Sequence, residues 1–374
     1  MKKKINIGMI GTKFMGKAHS HALRDVSMFF DLDVEPVMKT LCGTSPETES
    51  IAKKYGWEKW TTDWREVIED PEIHAIAVLT PGFLHKEMAV AAAEKGKHII
   101  CEKPLANSLE DAKEMFEAVQ KIGVIHMTNF NYRRVPAVNL AKKLVDEGRL
   151  GEIYHFRAVY QQDWVLDADW VWRFDKKQAG SGSMSDKGSH IIDLARFLVG
   201  EITEVVADSK IFFKEKAVPG KNETRPVTTD DACMFITRFE NGAMGLFETS
   251  RISAGHKNFL SFEINGSKGS LIFNLERLNE LDIYLKDEDP SAQGFRNIIV
   301  TDPLHTYIDK MWPAGHIIGW EHTFIFQYYE FLKGIAENKN PSPSFEDGVK
   351  TQAVIEAALK SVSERNWIKV ARDL

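Results

Sequence analysis

Ile5-Asn6-Ile7-Gly8-Met9-Ile10-Gly11-Thr12-Lys13-Phe14-Met15-Gly16 stands near the start of the sequence. Its first six residues have β-type apolar character and run into a turn bounded by two glycines. From Lys17 to about Met28 the pattern is helical. Strand, glycine turn and helix, in that order, form the context that a dinucleotide fingerprint requires. Gly11 suits the tight turn and Gly16 suits close packing of helix on strand. The helix start, with Phe14 and Met15, offers amide hydrogens and the positive dipole end to a pyrophosphate. Lys13 stands where the fingerprint has its middle glycine, so its ammonium either crowds the site or meets a phosphate. Taken alone, such a turn also fits other α/β proteins.

The next segments extend the same architecture. Val37 to Cys42 is a second β-type run, ending in Gly43-Thr44-Ser45-Pro46. An Asp or Glu here would accept from ribose hydroxyls, and an arginine would suit a 2′-phosphate. Neither is present, which leaves NAD and NADP both open. Ala75-Ile76-Ala77-Val78-Leu79 lacks polar alternation and is expected to be buried on both faces. Thr80-Pro81-Gly82-Phe83-Leu84-His85 closes it. Lys97 to Ile100 is another buried strand and leads into Cys101-Glu102-Lys103-Pro104. A Glu-Lys pair at the C-terminal end of a buried strand lies where ligands bind in an open α/β sheet. A cis or otherwise constrained bond at Pro104 would aim Lys103 inward. Strand and helix alternate up to Met127, so residues 1–128 are expected to form a doubly wound Rossmann domain.

Asn129 to Pro136 marks the expected boundary, and residues 129–374 the second domain. From Ile153 the period changes to that of strands separated by turns such as Glu240-Asn241-Gly242. The expectation is an α/β domain followed by an α+β domain with a large open, mainly antiparallel sheet. The sheet's open face, rich in Phe, Ile and Met, reads as an interface of a homodimer or homotetramer. A terminal amphipathic helix over 345–365 is expected to pack back at the domain junction.

One segment of the second half is chemically loaded: Gly180-Ser181-Gly182-Ser183-Met184-Ser185-Asp186-Lys187-Gly188-Ser189-His190-Ile191-Ile192-Asp193. Ser185 is placed to cap a helix running to about Val199, on which Asp186 and His190 share a face. A carboxylate one turn from an imidazole fixes its tautomer and raises its basicity as a general base. An ordinary surface Asp-His pair has the same spacing. Tyr160-Gln161-Gln162-Asp163-Trp164 and Trp170-Val171-Trp172-Arg173-Phe174 suit a sugar, with Trp164 and Trp172 packing on C–H surfaces while Gln162 and Arg173 read hydroxyls. Each tryptophan taken singly also fits a core position. His305 lies in a loop from which it could reach a ligand. His21, His126, His256 and His322 are read as structural.

Composition excludes several classes. A net charge of −6 argues against nucleic acid as a partner. The three cysteines, Cys42, Cys101 and Cys233, are too scattered for a disulfide framework and point to a reducing cytoplasm. No run approaches the ~20 apolar residues that span a bilayer, so no membrane partner is expected. No His/Cys/Asp set has metal-ligand spacing, so no metal is expected.

Together these motifs resemble the glucose–fructose oxidoreductase/inositol dehydrogenase (Gfo/Idh/MocA) family over nearly the whole chain. The resemblance rests on Gly11 to Gly16, the Thr80-Pro81 to His85 loop and Glu102-Lys103-Pro104. It continues through Tyr132-Arg133-Arg134-Val135-Pro136, Asp186 with Gly188 and His190, and Phe345-Glu346-Asp347-Gly348. Departures are Lys13 for glycine, Gly82 for the usual asparagine and no acid near Gly43. The resemblance implies oxidation of a secondary hydroxyl of a sugar, an anhydrosugar such as levoglucosan (at C3) or a cyclic polyol, with NAD slightly favoured over NADP. It implies His190 as base, Asp186 as its orienting partner and Lys103 at the reacting oxygen. It adds Asn131 to the cofactor set formed by Gly11, Lys13, Phe14, Met15, Gly16, Gly43, Thr44, Thr80, Pro81, His85, Glu102 and Lys103. It adds Tyr132 and Arg133 to the substrate set of Lys103, Gln162, Trp164, Trp172, Arg173, Asp186, His190 and His305. Two other classes fit the same likeness: a glycosidase using transient oxidation by held NAD, and a non-catalytic cofactor-binding regulator.

Overall fold

A computed structural model describes residues 2–372, which divide into two compact units: 2–134 with 319–349, and 135–318 with 350–372. The first unit therefore extends past residue 128 and also takes in a segment from far along the chain.

In the first unit, strand and helix alternate: β1 (Lys3–Ile10), α1 (Phe14–Phe29), β2 (Val34–Cys42), α2 (Thr48–Tyr55), β3 (Lys59–Thr61), α3 (Trp64–Glu69), β4 (Ala75–Val78), α4 (His85–Glu94), β5 (His98–Cys101), α5 (Leu109–Ile122) and β6 (His126–Thr128). The strands are parallel in the order β3-β2-β1-β4-β5-β6. β4 is wholly buried, as expected of a strand covered by helices on both sheet faces. Local signals set the helix starts. Asp63 Oδ1 accepts from Arg65 N at 3.0 Å and Ser108 Oγ from Asp111 N at 3.1 Å. Ile10, Val78, Ile99, Cys101, Met115 and Phe116 form one core, completed by Phe345 and Val349 from the distant segment.

The second unit begins with α6 (Pro136–Asp146), β7 (Ile153–Gln161), α7 (Lys176–Ala179), α8 (Ser189–Leu198) and β8 (Ile202–Lys210). A small hairpin, β9 (Glu215–Ala217) and β10 (Thr224–Pro226), follows. Then come β11 (Ala232–Phe239), β12 (Met244–Ser250), β13 (Phe259–Gly266), β14 (Gly269–Asn274), β15 (Glu280–Leu285) and β16 (Arg296–Ile299). α9 (His322–Glu337) belongs to the first unit. α10 (Phe345–Glu364) starts there, and its residues from 350 on belong to the second, as does β17 (Ile368–Lys369). The large sheet runs β16-β15-β14-β13-β7-β12-β11-β8-β17. Every neighbouring pair in it is antiparallel except β7 with β12.

Alternation decides which face is covered. Phe235 and Phe247 are register partners and stack with ring centroids 4.6 Å apart on the buried face. Phe156 and Phe262 extend that layer. One residue along, Ile236 and Leu246 pair on the opposite face and are exposed, with Met234 and Met244 beside them. A period of two makes this split unavoidable once one face is core.

Candidate active site

In the first unit the glycine turn has the geometry of a phosphate cradle. Gly11 has φ +133°, and a Cβ on Gly16 would lie 2.3 Å from Gly11 O. No side chain caps α1, and its first turn holds no acid. Its amide hydrogens are thus left for an anion such as a dinucleotide pyrophosphate, which these residues fit. Lys13 and Phe14 are exposed and Met15 is partly so. Phe14 stacks on Trp320 at 5.3 Å. Gly43 is buried at the end of β2, and Thr44 beside it is exposed.

The Glu-Lys-Pro turn is anchored from below. Ionised Glu102 can only accept hydrogen bonds. It takes His19 Nε2–H at 2.9 Å and Asn129 Nδ2–H at 2.6 Å on Oε1, and Lys103 N–H at 3.2 Å on Oε2. His19 Nδ1 then accepts from the Tyr328 hydroxyl at 2.9 Å. Burial pulls the Glu102 carboxyl upward. The hydrogen bonds from His19 and Asn129, with the Lys103 cation, outweigh it and hold the group below its ordinary value. Burial keeps the Tyr328 hydroxyl protonated. The Lys103–Pro104 peptide is cis, and Lys103 is partly exposed above this buried network. His85 joins the neighbouring loops: its ring nitrogens lie 2.8 Å from Thr80 O and 3.1 Å from Leu105 O. Pro81 lies in the loop so tied. A Cβ at Gly82 would approach Asn107 Oδ1 to 2.6 Å, so that amide takes up the space.

Three residues expected at a ligand are occupied within the first unit. Arg133 is buried, donating to Ser342 Oγ at 2.9 Å and Asp347 Oδ1 at 3.0 Å. The guanidinium ties the start of α10 to the segment after β6, and moving it to a ligand would leave Asp347 without that cation. Asn131 donates to Thr323 Oγ1 at 2.8 Å, and the buried Tyr132 hydroxyl accepts from Trp320 Nε1 at 3.4 Å.

In the second unit the Asp-His segment starts differently from the expected Ser185 cap. Met184–Gly188 forms a single π-type turn that runs into α8, a distortion often found at functional sites. Asp230 organises its approach. Its carboxylate accepts from Gly182 N at 2.6 Å, Ser183 Oγ at 2.7 Å and Met184 N at 2.9 Å. A Cβ on Gly182 would fall 1.9 Å from Asp230 O, so only glycine fits. The helix is buried nearly all round rather than on one stripe. His190 is buried with its ring edge-on to Tyr160 at 5.8 Å. Asp186 is partly exposed, and its Oδ2 lies 3.0 Å from the Nζ of buried Lys187. Asp193 is buried on the same helix.

The aromatic and amide groups at the end of β7 gather beside this turn. Tyr160 Oη and Gln162 Nε2 both donate to Asn258 Oδ1, at 2.8 and 2.6 Å. Trp164 stacks on Phe174 at 5.9 Å, and the Arg173 guanidinium lies 4.5 Å over Trp172. The Trp172–Phe174 turn is held by buried Arg251, which pairs with Asp231 at 2.9 Å and donates to Arg173 O at 3.3 Å. His305 is engaged in its own loop, with Nδ1 3.0 Å from Asp302 O. Sequence reasoning missed His19, Asn129, Tyr328, Asp230, Asn258 and Lys187. None has a local motif, because each acts on a partner distant in sequence or through burial. Among the described residues, no cluster of three His, Cys, Asp or Glu could hold a metal ion.

Residues 5–130 match an oxidoreductase family with an NAD-binding Rossmann fold, and residues 138–272 match the GFO/IDH/MocA C-terminal domain. The chain belongs to the Gfo/Idh/MocA oxidoreductase family. Within it, the chain is 42% identical to levoglucosan dehydrogenase of Pseudarthrobacter phenanthrenivorans, over 98% of each chain. It is 34% identical to a Bacillus subtilis scyllo-inositol 2-dehydrogenase (NAD(+)), over 71% of this chain and 73% of that one. A solved levoglucosan dehydrogenase in complex with NADH and levoglucosan superposes with a TM-score of 0.96 at 42% identity, covering 99% of this chain and 100% of that one.

Proposed function

We propose that this oxidoreductase uses NAD to oxidise a secondary hydroxyl of a sugar, with a levoglucosan-like anhydrosugar at C3 the first candidate and cyclic polyols next. The observation that carries this is buried His190, four residues after Asp186 and edge-on to Tyr160, on the strand that leads into Gln162 and Trp164. That is a base beside aromatic and amide groups of the kind that read a sugar. The full-length likeness to levoglucosan dehydrogenase supports it. The dehydrogenases among the relatives favour net oxidation over a glycosidase or a silent regulator.

Nicotinamide, when bound, supplies the hydride acceptor; Gly11 to Gly16, Gly43, Thr44 and the Thr80-Pro81 loop would hold the dinucleotide. His190 takes the hydroxyl proton, and Asp186 orients the imidazole and passes the proton on. Lys103 hydrogen-bonds the reacting oxygen and steadies its developing charge. Trp164 and Trp172 pack on C–H faces, while Gln162 and Arg173 bond hydroxyls. No arginine stands at the end of β2 for a 2′-phosphate, and relatives solved with NADH point the same way. The test follows cofactor reduction at 340 nm with levoglucosan, glucosides, inositols and free sugars, using NAD⁺ and NADP⁺ separately. NAD⁺ reduction by levoglucosan or a close analogue is expected; no reduction by any of them would overturn the reading.

Two further expectations belong here. The three buried free thiols fit a reducing cytoplasm. The exposed Met234, Ile236, Met244 and Leu246 suit a homodimer or homotetramer joined through the sheet. Leu246→Glu should lower the sedimenting mass toward that of one chain while the unfolding midpoint of the monomer holds. An unchanged mass would move the interface elsewhere.

A further inference from the structure

Lys187 has no part in the reaction as described, yet it is a buried cation beside Asp186. Its side chain is 1% exposed, and removing an ammonium from water is unfavourable unless it is well paired. Its partner, at 3.0 Å, is Asp186, whose side chain keeps 36% exposure. The pair thus has one dry end and one wet end. The dry end is walled by aromatic rings: Nζ lies 6.0 Å from the Tyr160 ring centre and 5.8 Å from that of Trp164. These rings provide some cation–π attraction. Tyr160 is the ring that His190 meets edge-on.

We infer that Lys187 is a positioning residue that sets the proton affinity of the Asp186–His190 pair. This rests on the proton-transfer reading of that pair given above. A fixed cation behind Asp186 favours the carboxylate and disfavours a second positive charge on His190. Both effects lower proton affinity. His190 therefore stays neutral, as a base must, at lower pH than it otherwise would, and Asp186 does not retain the proton it passes on. Other titratable groups around the turn are Asp193 on the same helix, Asp230 beneath its start and Tyr160 on β7. Apart from Tyr160 these are acids, which makes the Lys187 cation the counterweight to them.

The sign of the test follows directly. Lys187→Met removes a positive charge and should raise the pKa of the His190 imidazole by about one unit. This is read by NMR of ¹⁵N-histidine-labelled protein without ligand, the His190 signal being assigned by its loss in His190→Ala. The acid limb of kcat/KM, measured with whichever panel sugar reduces NAD⁺ fastest, should move upward with it, and Lys187→Arg should restore both. An unchanged His190 titration in Lys187→Met would overturn the inference and leave Lys187 a purely structural ion pair. If Lys187→Met fails to fold, Lys187→Gln and the charge-neutral double variant Asp186→Asn/Lys187→Met replace it. In the double variant the His190 titration should match that of Asp186→Asn with an upward offset; no offset overturns the inference. The base reading fails separately, through wild-type turnover in His190→Ala, and that outcome leaves the NMR result for Lys187 standing.

Discussion

His190→Ala should lower turnover by roughly 10²- to 10⁴-fold, the scale on which a positioned general base contributes, while NADH affinity holds. The residue is 6% exposed and meets Tyr160 at the end of β7, a strand whose register with β12 and β13 fixes where that ring stands. The segment leading to it is pinned by three hydrogen bonds to the Asp230 carboxylate. Removing the imidazole therefore removes the proposed base without removing its scaffold. The dinucleotide cradle at Gly11 to Gly16 belongs to the other compact unit, which is why cofactor affinity should not follow turnover. Stopped-flow reduction of NAD⁺ and an NADH fluorescence titration separate the two. Turnover within twofold of the parent would remove His190 from the mechanism.

Lys103→Met comes next in expected size, with a loss in kcat of about 10²- to 10³-fold, as for removal of one preorganised donor to a developing oxyanion. Methionine keeps an unbranched stem of similar length, so the change is chiefly electrostatic. The turn should survive, because Glu102 accepts the backbone N–H at position 103, which the substitution retains. Glu102 is itself held by His19 and Asn129. The split between constants is diagnostic. A loss in kcat means that Lys103 acts on the transition state, whereas a rise in KM alone would make it a binding group only.

Much of this was legible along the chain. The glycine turn after β1, the apolar run of β4 and the charged pair after β5 each carry a short-range pattern tied to backbone geometry. So does the period of two that sends Phe235 and Phe247 inward and Ile236 and Leu246 outward. Asp186 and His190 were singled out by helical spacing together with the family resemblance, and the turn that carries Asp186 is π-type. At Arg133 the sequence is silent, because a cation in a loop looks the same whether it awaits a ligand or is held by Asp347, more than two hundred residues away.

By itself, then, the sequence determined the order of strands and helices, the alternation of the second sheet and the loops on which charged residues fall. These follow from local sterics and hydrophobic period. Only the tertiary structure decided that the 319–349 segment completes the first unit, with Trp320 on Phe14, Tyr328 on His19 and Gln327 accepting from Arg134. It also decided that Lys187, one lysine among many in the sequence, is a buried cation against Asp186. Burial depends on which distant elements pack around a residue, and no short stretch of sequence encodes that.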